Sequence, residues 1–162
     1  MEHKVTKIKL SAEAAYHKIK SWCAYQERSQ NETLKKLSEF GLQQSEAEII
    51  LANLISENFV NEERFAATYA SGKFRIKHWG RHKIKMGLRE HKVSDYSLKN
   101  ALQSIDENEY LETIEKLIQK KLETSKSLED QKKKYQVTKY LISRGFEADI
   151  VTQQLNKILK GN

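Results

Sequence analysis

Three segments of this chain superpose without gaps, and no other feature restricts its possible folds so tightly. They are Thr33-Leu-Lys-Lys-Leu-Ser-Glu-Phe-Gly-Leu42, Ile84-Lys-Met-Gly-Leu-Arg-Glu-His-Lys-Val93 and Val137-Thr-Lys-Tyr-Leu-Ile-Ser-Arg-Gly-Phe146. Leu37, Leu88 and Leu141 share one position; Leu42, Val93 and Phe146 share another. Carried forward, the same registers align Leu51, Leu102 and Leu155, then Leu54, Ile105 and Ile158, so four apolar columns recur at spacings of 51 and 53 residues. Within each unit the apolar positions follow i, i+4, break at Gly41, Lys92 or Gly145, and resume at i, i+3. That grammar is helix, tight turn, helix, with glycine suited to the left-handed cap and Lys92 taking that position at some cost in strain.

A further amphipathic stretch precedes each pair, over residues 14–26, 61–73 and 108–123. Helix starts are marked by Asn61 with Glu62 and Glu63, by Ser45 with Glu46 and Glu48, and by Ser94 with Asp95, each offering a capping side chain and first-turn acids. Proline is absent and glycine occurs only six times, which leaves few breakers for sheets or long loops. The expected fold is all-α, an elongated array of three tandem three-helix repeats over 14–58, 59–106 and 107–162, behind a basic N-terminal segment at 1–13.

Charge is distributed unevenly over this array. Residues 73–92 hold eight bases (Lys73, Arg75, Lys77, Arg81, Lys83, Lys85, Arg89 and Lys92) against the single acid Glu90, and the rest of the chain is neutral, so the formal net charge of +7 resides there. Residues 106–115 carry five acids and no base. On a helix, Ile84 and Leu88 form the buried seam, and Arg81, Lys85 and Arg89 form an i, i+4, i+8 row beside it that, with Lys92, is expected to project into solvent. Such a row neutralises phosphates without reading sequence. Lys132, Lys133 and Lys134, expected just ahead of the third copy's second helix, make a weaker cluster with Lys139 and Arg144, because Glu129 and Asp130 sit beside them. Tyr69 and Phe74 are expected in the core and Trp79 at a turn, with base stacking by Trp79 as the alternative.

Chemistry is sparse. His78 and His82 have the i, i+4 spacing of a zinc pair, but no second Cys or His pair follows. The one cysteine, Cys23, is expected in helical packing, in a reducing, cytoplasmic compartment. No phosphate-cradling, dinucleotide or nucleophile-elbow motif occurs, and no apolar run reaches membrane-spanning length. A monomeric, non-enzymatic protein without metal or cofactor is expected.

The residues also resemble a known family, the RecX regulatory proteins. Arg28-Ser29-x-x-Glu32-x-x-x-Lys36-Leu37 looks like its first motif, and Asn61-Glu62-Glu63-Arg64-Phe65-Ala66-x-x-Tyr69 its second. Gly80-x-x-Lys83-Ile84-x-x-x-Leu88-Arg89 is similar to the third, and Lys134 with Leu141, Arg144, Gly145 and Phe146 to the fourth. Thr33, Lys92 and Asn61 depart from the family's preferred Leu, Gly and Asp. The resemblance implies a three-times-three-helix protein lying in the groove of the RecA–DNA filament and inhibiting its ATPase and strand exchange. The basic middle helix is then the contact surface, with single- or double-stranded DNA as a further direct partner.

Overall fold

The structure is a computed structural model that describes residues 9–161. The basic segment expected over 1–13 therefore lies, up to residue 8, outside the described residues. Among the described residues there are nine α-helices and no strand: α1 (Ala12–Tyr25), α2 (Gln30–Glu39), α3 (Gln44–Ser56), α4 (Glu62–Arg75), α5 (Arg81–Glu90), α6 (Asp95–Gln103), α7 (Glu107–Thr124), α8 (Asp130–Ser143) and α9 (Ala148–Lys160). Close helix pairing falls within α1–α3, within α4–α6 and within α7–α9, so the chain is built as three successive three-helix units. None of the described helices is long and apolar enough to cross a membrane.

The first two apolar columns have a common local cause. At the end of α2 the Gly41 N–H donates to Ser38 O and the Leu42 N–H to Leu37 O. Lys92 and Val93 do the same to Arg89 and Leu88, and Gly145 and Phe146 to Ile142 and Leu141. This is the Schellman ending, in which the residue two beyond the cap packs on the residue that accepts its N–H. It makes Leu37 pair with Leu42, Leu88 with Val93, and Leu141 with Phe146. Gly41 (φ 86), Lys92 (φ 56) and Gly145 (φ 93) are all left-handed, as the sequence pattern requires, and Lys92 alone carries a side chain there.

Side-chain caps fix the starts of α4 and α6. Asn61 Oδ1 accepts from the Arg64 N–H at 2.8 Å and Ser94 Oγ from the Ser97 N–H at 3.3 Å. The start of α3 differs from expectation. Gln43 is its N-cap, with its N–H donating to Glu46 Oε2 at 3.0 Å, and Ser45 falls inside the first turn. The turn at Gly41 and Leu42 leaves one residue before the next helix, so the cap comes two positions early.

Two apolar cores result. One is built from the first unit with Phe59 and Val60 of the segment that follows α3, and includes Ile19, Leu37 and Leu54, all fully buried. The other runs without interruption through the second and third units, from Phe65 and Phe74 across Tyr110 to Phe146 and Leu155.

Candidate functional site

The second and third units meet where α5 begins. A helix N-terminus presents amide N–H groups that lack intrahelical acceptors, and Gly80, the N-cap of α5, has no side chain to supply one. The third unit supplies them. The Gly80 N–H donates to Arg144 O at 2.8 Å, the His82 N–H to Gly145 O at 3.0 Å, and the Arg81 N–H to the Tyr110 hydroxyl at 3.0 Å. The carbonyl end of α8 thus caps the amide end of α5, bringing the negative end of one helix dipole to the positive end of the other. This contact is backbone on backbone: a Cβ on Gly80 would stand 2.3 Å from Gly145 C and O, and one on Gly145 would stand 2.6 Å from Lys83 N.

Arg81 belongs to this junction. Its guanidinium lies 3.9 Å from the Tyr110 ring centroid, 2.6 Å from Glu107 Oε2 and 3.6 Å from Glu147 Oε1, and its side chain is 21% exposed. It does not project into solvent as the i, i+4, i+8 row predicted, because the carboxylates that hold it come from the next unit. Burial opposes its charge, but those carboxylates and Tyr110 more than offset this and raise its pKa. Tyr110, fully buried, donates to Glu147 Oε2 at 2.5 Å. Burial first, and that bond second, push the phenol far above its ordinary range, so it stays a hydroxyl. Arg144 also serves the junction, donating from its guanidinium to Lys77 O.

The first and second units meet through side chains instead. His91 Nδ1 is 3.2 Å from Ser29 Oγ and 3.9 Å from Glu32 Oε2, with its ring edge-on to Phe65 and Tyr69. Arg64 reaches back to the Glu27 carboxylate and to Asn58 Oδ1 and O at 3.1 and 3.0 Å.

The rest of the basic stretch divides over two sides of α5. On one side Lys85 and Arg89, with Arg81 at the end, line a groove of about 900 Å³ between α5 and α6. Leu98, Leu102 and Ile105 give it an apolar lining, and Lys99, absent from the sequence-based candidates, joins it from α6. Asp95, Asp106 and Glu107 line the groove as well, but neither Lys85 nor Arg89 has a carboxylate within ion-pairing distance among the described residues, so it sets two unpaired cations in a mixed polar and apolar lining. On the other side, Lys73 and Lys83 hold their ammonium groups 4.7 Å from the centroid of the Trp79 ring, which is half-buried against the core. Two ammonium groups thus lie against the Trp79 ring. Lys77 is exposed, Lys92 is exposed at its left-handed turn, and Arg75 is held by Glu109 at 3.1 and 3.2 Å.

The second cluster is more committed. Lys132, Lys133 and Lys134 lie in the first turns of α8 rather than before it, where the dipole disfavours cations; Glu129 and Asp130 pair with Lys132 and Lys133 at 3.9 and 3.8 Å. Lys134 is exposed, and Lys139 is 5.8 Å from the Tyr135 ring centroid. His78 occupies a left-handed turn (φ 53) outside α5, so it shares no helical face with His82. No cluster of three or more His, Cys, Asp or Glu fit to hold a metal occurs among the described residues.

Residues 61–102 match the family model described as RecX, second three-helix domain, and residues 107–155 match RecX, third three-helix domain. The chain belongs to the RecX family. It is 28% identical over 128 residues to a regulatory protein RecX of Leuconostoc mesenteroides, covering 79% of this chain and 48% of that protein. It is 31% identical over 124 residues to one of Clostridium perfringens, covering 75% and 58%. The chain thus spans about half the length of these curated relatives. Two RecX crystal structures share its fold, one with a TM-score of 0.82 at 21% identity (90% of this chain, 71% of that one). The other, from Lactobacillus salivarius, has a TM-score of 0.83 at 20% identity (90% and 95%). Several residues of the RecX motifs do structural work here: Ser29 and Glu32 cap α2, Arg64 ties the first unit to the second, and Gly80 and Gly145 join the second to the third.

Proposed function

We propose that this chain is a regulatory protein that binds the RecA–DNA filament and inhibits its ATPase and strand exchange, modulating recombination and DNA repair. The observation that carries the reading is the α5–α6 groove, where Lys85 and Arg89 stand without ion-paired carboxylates beside Leu98, Leu102 and Ile105, in a lining that also holds Asp95, Asp106 and Glu107. Phosphate can take the cations and protein the apolar surface, as a nucleoprotein partner demands. The name "regulatory protein" borne by the relatives supports the same reading. The test is RecA ATPase on single-stranded DNA at two salt concentrations. Inhibition at micromolar protein is expected, and its absence at both salts refutes the proposal.

A second reading, direct binding of nucleic acid without RecA, draws on the same free cations. It expects affinity for naked DNA whose log–log salt slope shrinks by about one for each of Lys85→Ala and Arg89→Ala. An unchanged slope in both variants excludes it. Arg81→Ala is expected to act differently, lowering stability, since its charge is already met by Glu107 and Glu147.

A further inference from the structure

Gly72 lies inside α4 (Glu62–Arg75), and a Cβ built there meets nothing within 4 Å. A glycine inside a helix costs stability relative to alanine, and nothing among the described residues repays it at this position. The other glycines of this unit differ: a Cβ on Gly80 would strike the α8 terminus, and one on Gly87 would stand 2.0 Å from the Tyr69 hydroxyl. Thr68, Gly72 and Ile76 follow one another at i, i+4, i+8, so they form one ridge. A shallow groove of about 250 Å³ runs over them, with Lys73 and Lys77 beside it. Ile76 is 75% exposed.

We infer that this face receives an α-helix of the filament's protein component, which crosses α4 at Gly72 and carries carboxylates to Lys73 and Lys77. The inference rests on the filament reading above and adds a second contact, across α5 from the α5–α6 groove. A missing side chain on an exposed ridge lets another helix approach closely, since the distance between packed helices is set by the side chains at the contact. The lysines select an acidic partner. Nucleic acid fits the ridge less well: a phosphate backbone would meet the lysines but leave Ile76 in water, and the amides of this turn are already bonded within the helix. A second copy of this chain fits less well too. Its acidic helix α7 could supply carboxylates, but Tyr110, Ile114 and Ile118 of α7 are fully buried.

The test compares wild type with Gly72→Leu and Ile76→Gln, measuring affinity for RecA assembled on single-stranded DNA, affinity for that DNA alone, and thermal unfolding. Gly72→Leu should raise the unfolding midpoint by about 2–4 °C while weakening filament binding by about tenfold or more and leaving naked-DNA binding unchanged. Ile76→Gln should weaken filament binding several-fold with little change in midpoint. Wild-type filament affinity in both variants overturns the inference while leaving the filament reading intact. Equal losses on naked DNA assign the face to nucleic acid and overturn it as well. So does wild-type self-association in sedimentation that Gly72→Leu abolishes, which assigns the face to a second copy. Failure of the wild-type protein to bind the filament overturns the inference and the filament reading together.

Discussion

Substituting Gly80 by Ala tests how the second and third units are joined. The residue's own conformation, φ −78 and ψ 169, is extended and suits any side chain, so the substitution would gain about 0.4–1 kcal/mol through the unfolded chain if nothing stood in its way. The obstacle is backbone: Gly145 C, Gly145 O and Phe146 N all lie 2.3 Å from the new methyl. Ordinary contact begins near 3.4 Å, so α5 and the end of α8 must part by about 1 Å. The bonds from Gly80 to Arg144 O and from His82 to Gly145 O would break, and that from Arg81 to Tyr110 would loosen. At roughly 0.5–1.5 kcal/mol for each broken bond, less the chain-entropy gain, the expected loss is about 1–3 kcal/mol. Urea unfolding followed by circular dichroism reads the total, and native-state hydrogen exchange at the Gly80, Arg81 and His82 amides reads the cause. A loss below about 0.5 kcal/mol with those amides still protected would refute the reasoning. Gly72→Ala is the matched control, since nothing lies within 4 Å of its Cβ; it should stabilise by about 0.5–1 kcal/mol.

Lys92→Gly should stabilise by about 0.5–1 kcal/mol in the same urea assay, because it relieves the left-handed residue that the other two copies give to glycine. Cys23 is 5% exposed, and burial pushes its thiol up, partly offset by Thr33; maleimide labelling at neutral pH should run about a hundredfold or more slower in native protein than in urea. Equal rates would show the first unit's core to be open. Glu57 is held below the usual carboxylate range by its hydrogen bond from Lys20, then by that from Tyr16. A depressed carboxylate stabilises the fold above its unfolded pKa and loses that contribution as pH falls through the folded value. The stability gap between wild type and Glu57→Gln should therefore hold at neutral pH and close once the pH falls below about 4.

The sequence revealed what is local. Leu37 and Leu42, and their counterparts, recur at fixed spacing because one turn of five residues brings them into contact, so the repeat and its turns could be read without any knowledge of tertiary packing. The position of Lys85 and Arg89 beside the Ile84–Leu88 seam follows from the 100° advance per residue, but the groove they line depends on α6 and was expected to be open solvent. Arg81 occupies the same row and has another fate, because Glu107, Tyr110 and Glu147 reach it from the next unit and no periodicity within α5 reports on them. Lys99 was missed likewise: it enters the groove only through the way α6 packs on α5. Gly72 gave no signal at all, since an unfilled position is recognised by what does not surround it.

The contrast between the two junctions has a mechanical consequence. Joints in series deform where they are most compliant. The joint at Gly80 and Gly145 is a backbone contact inside a continuous core, whereas that at His91 is made of side chains between separate cores. The array is therefore expected to bend first between the first unit and the pair formed by the other two. Laid on a curved track, it would take up the bend at His91, while the distance between the surfaces of α4 and α8 stayed fixed like marks on a ruler.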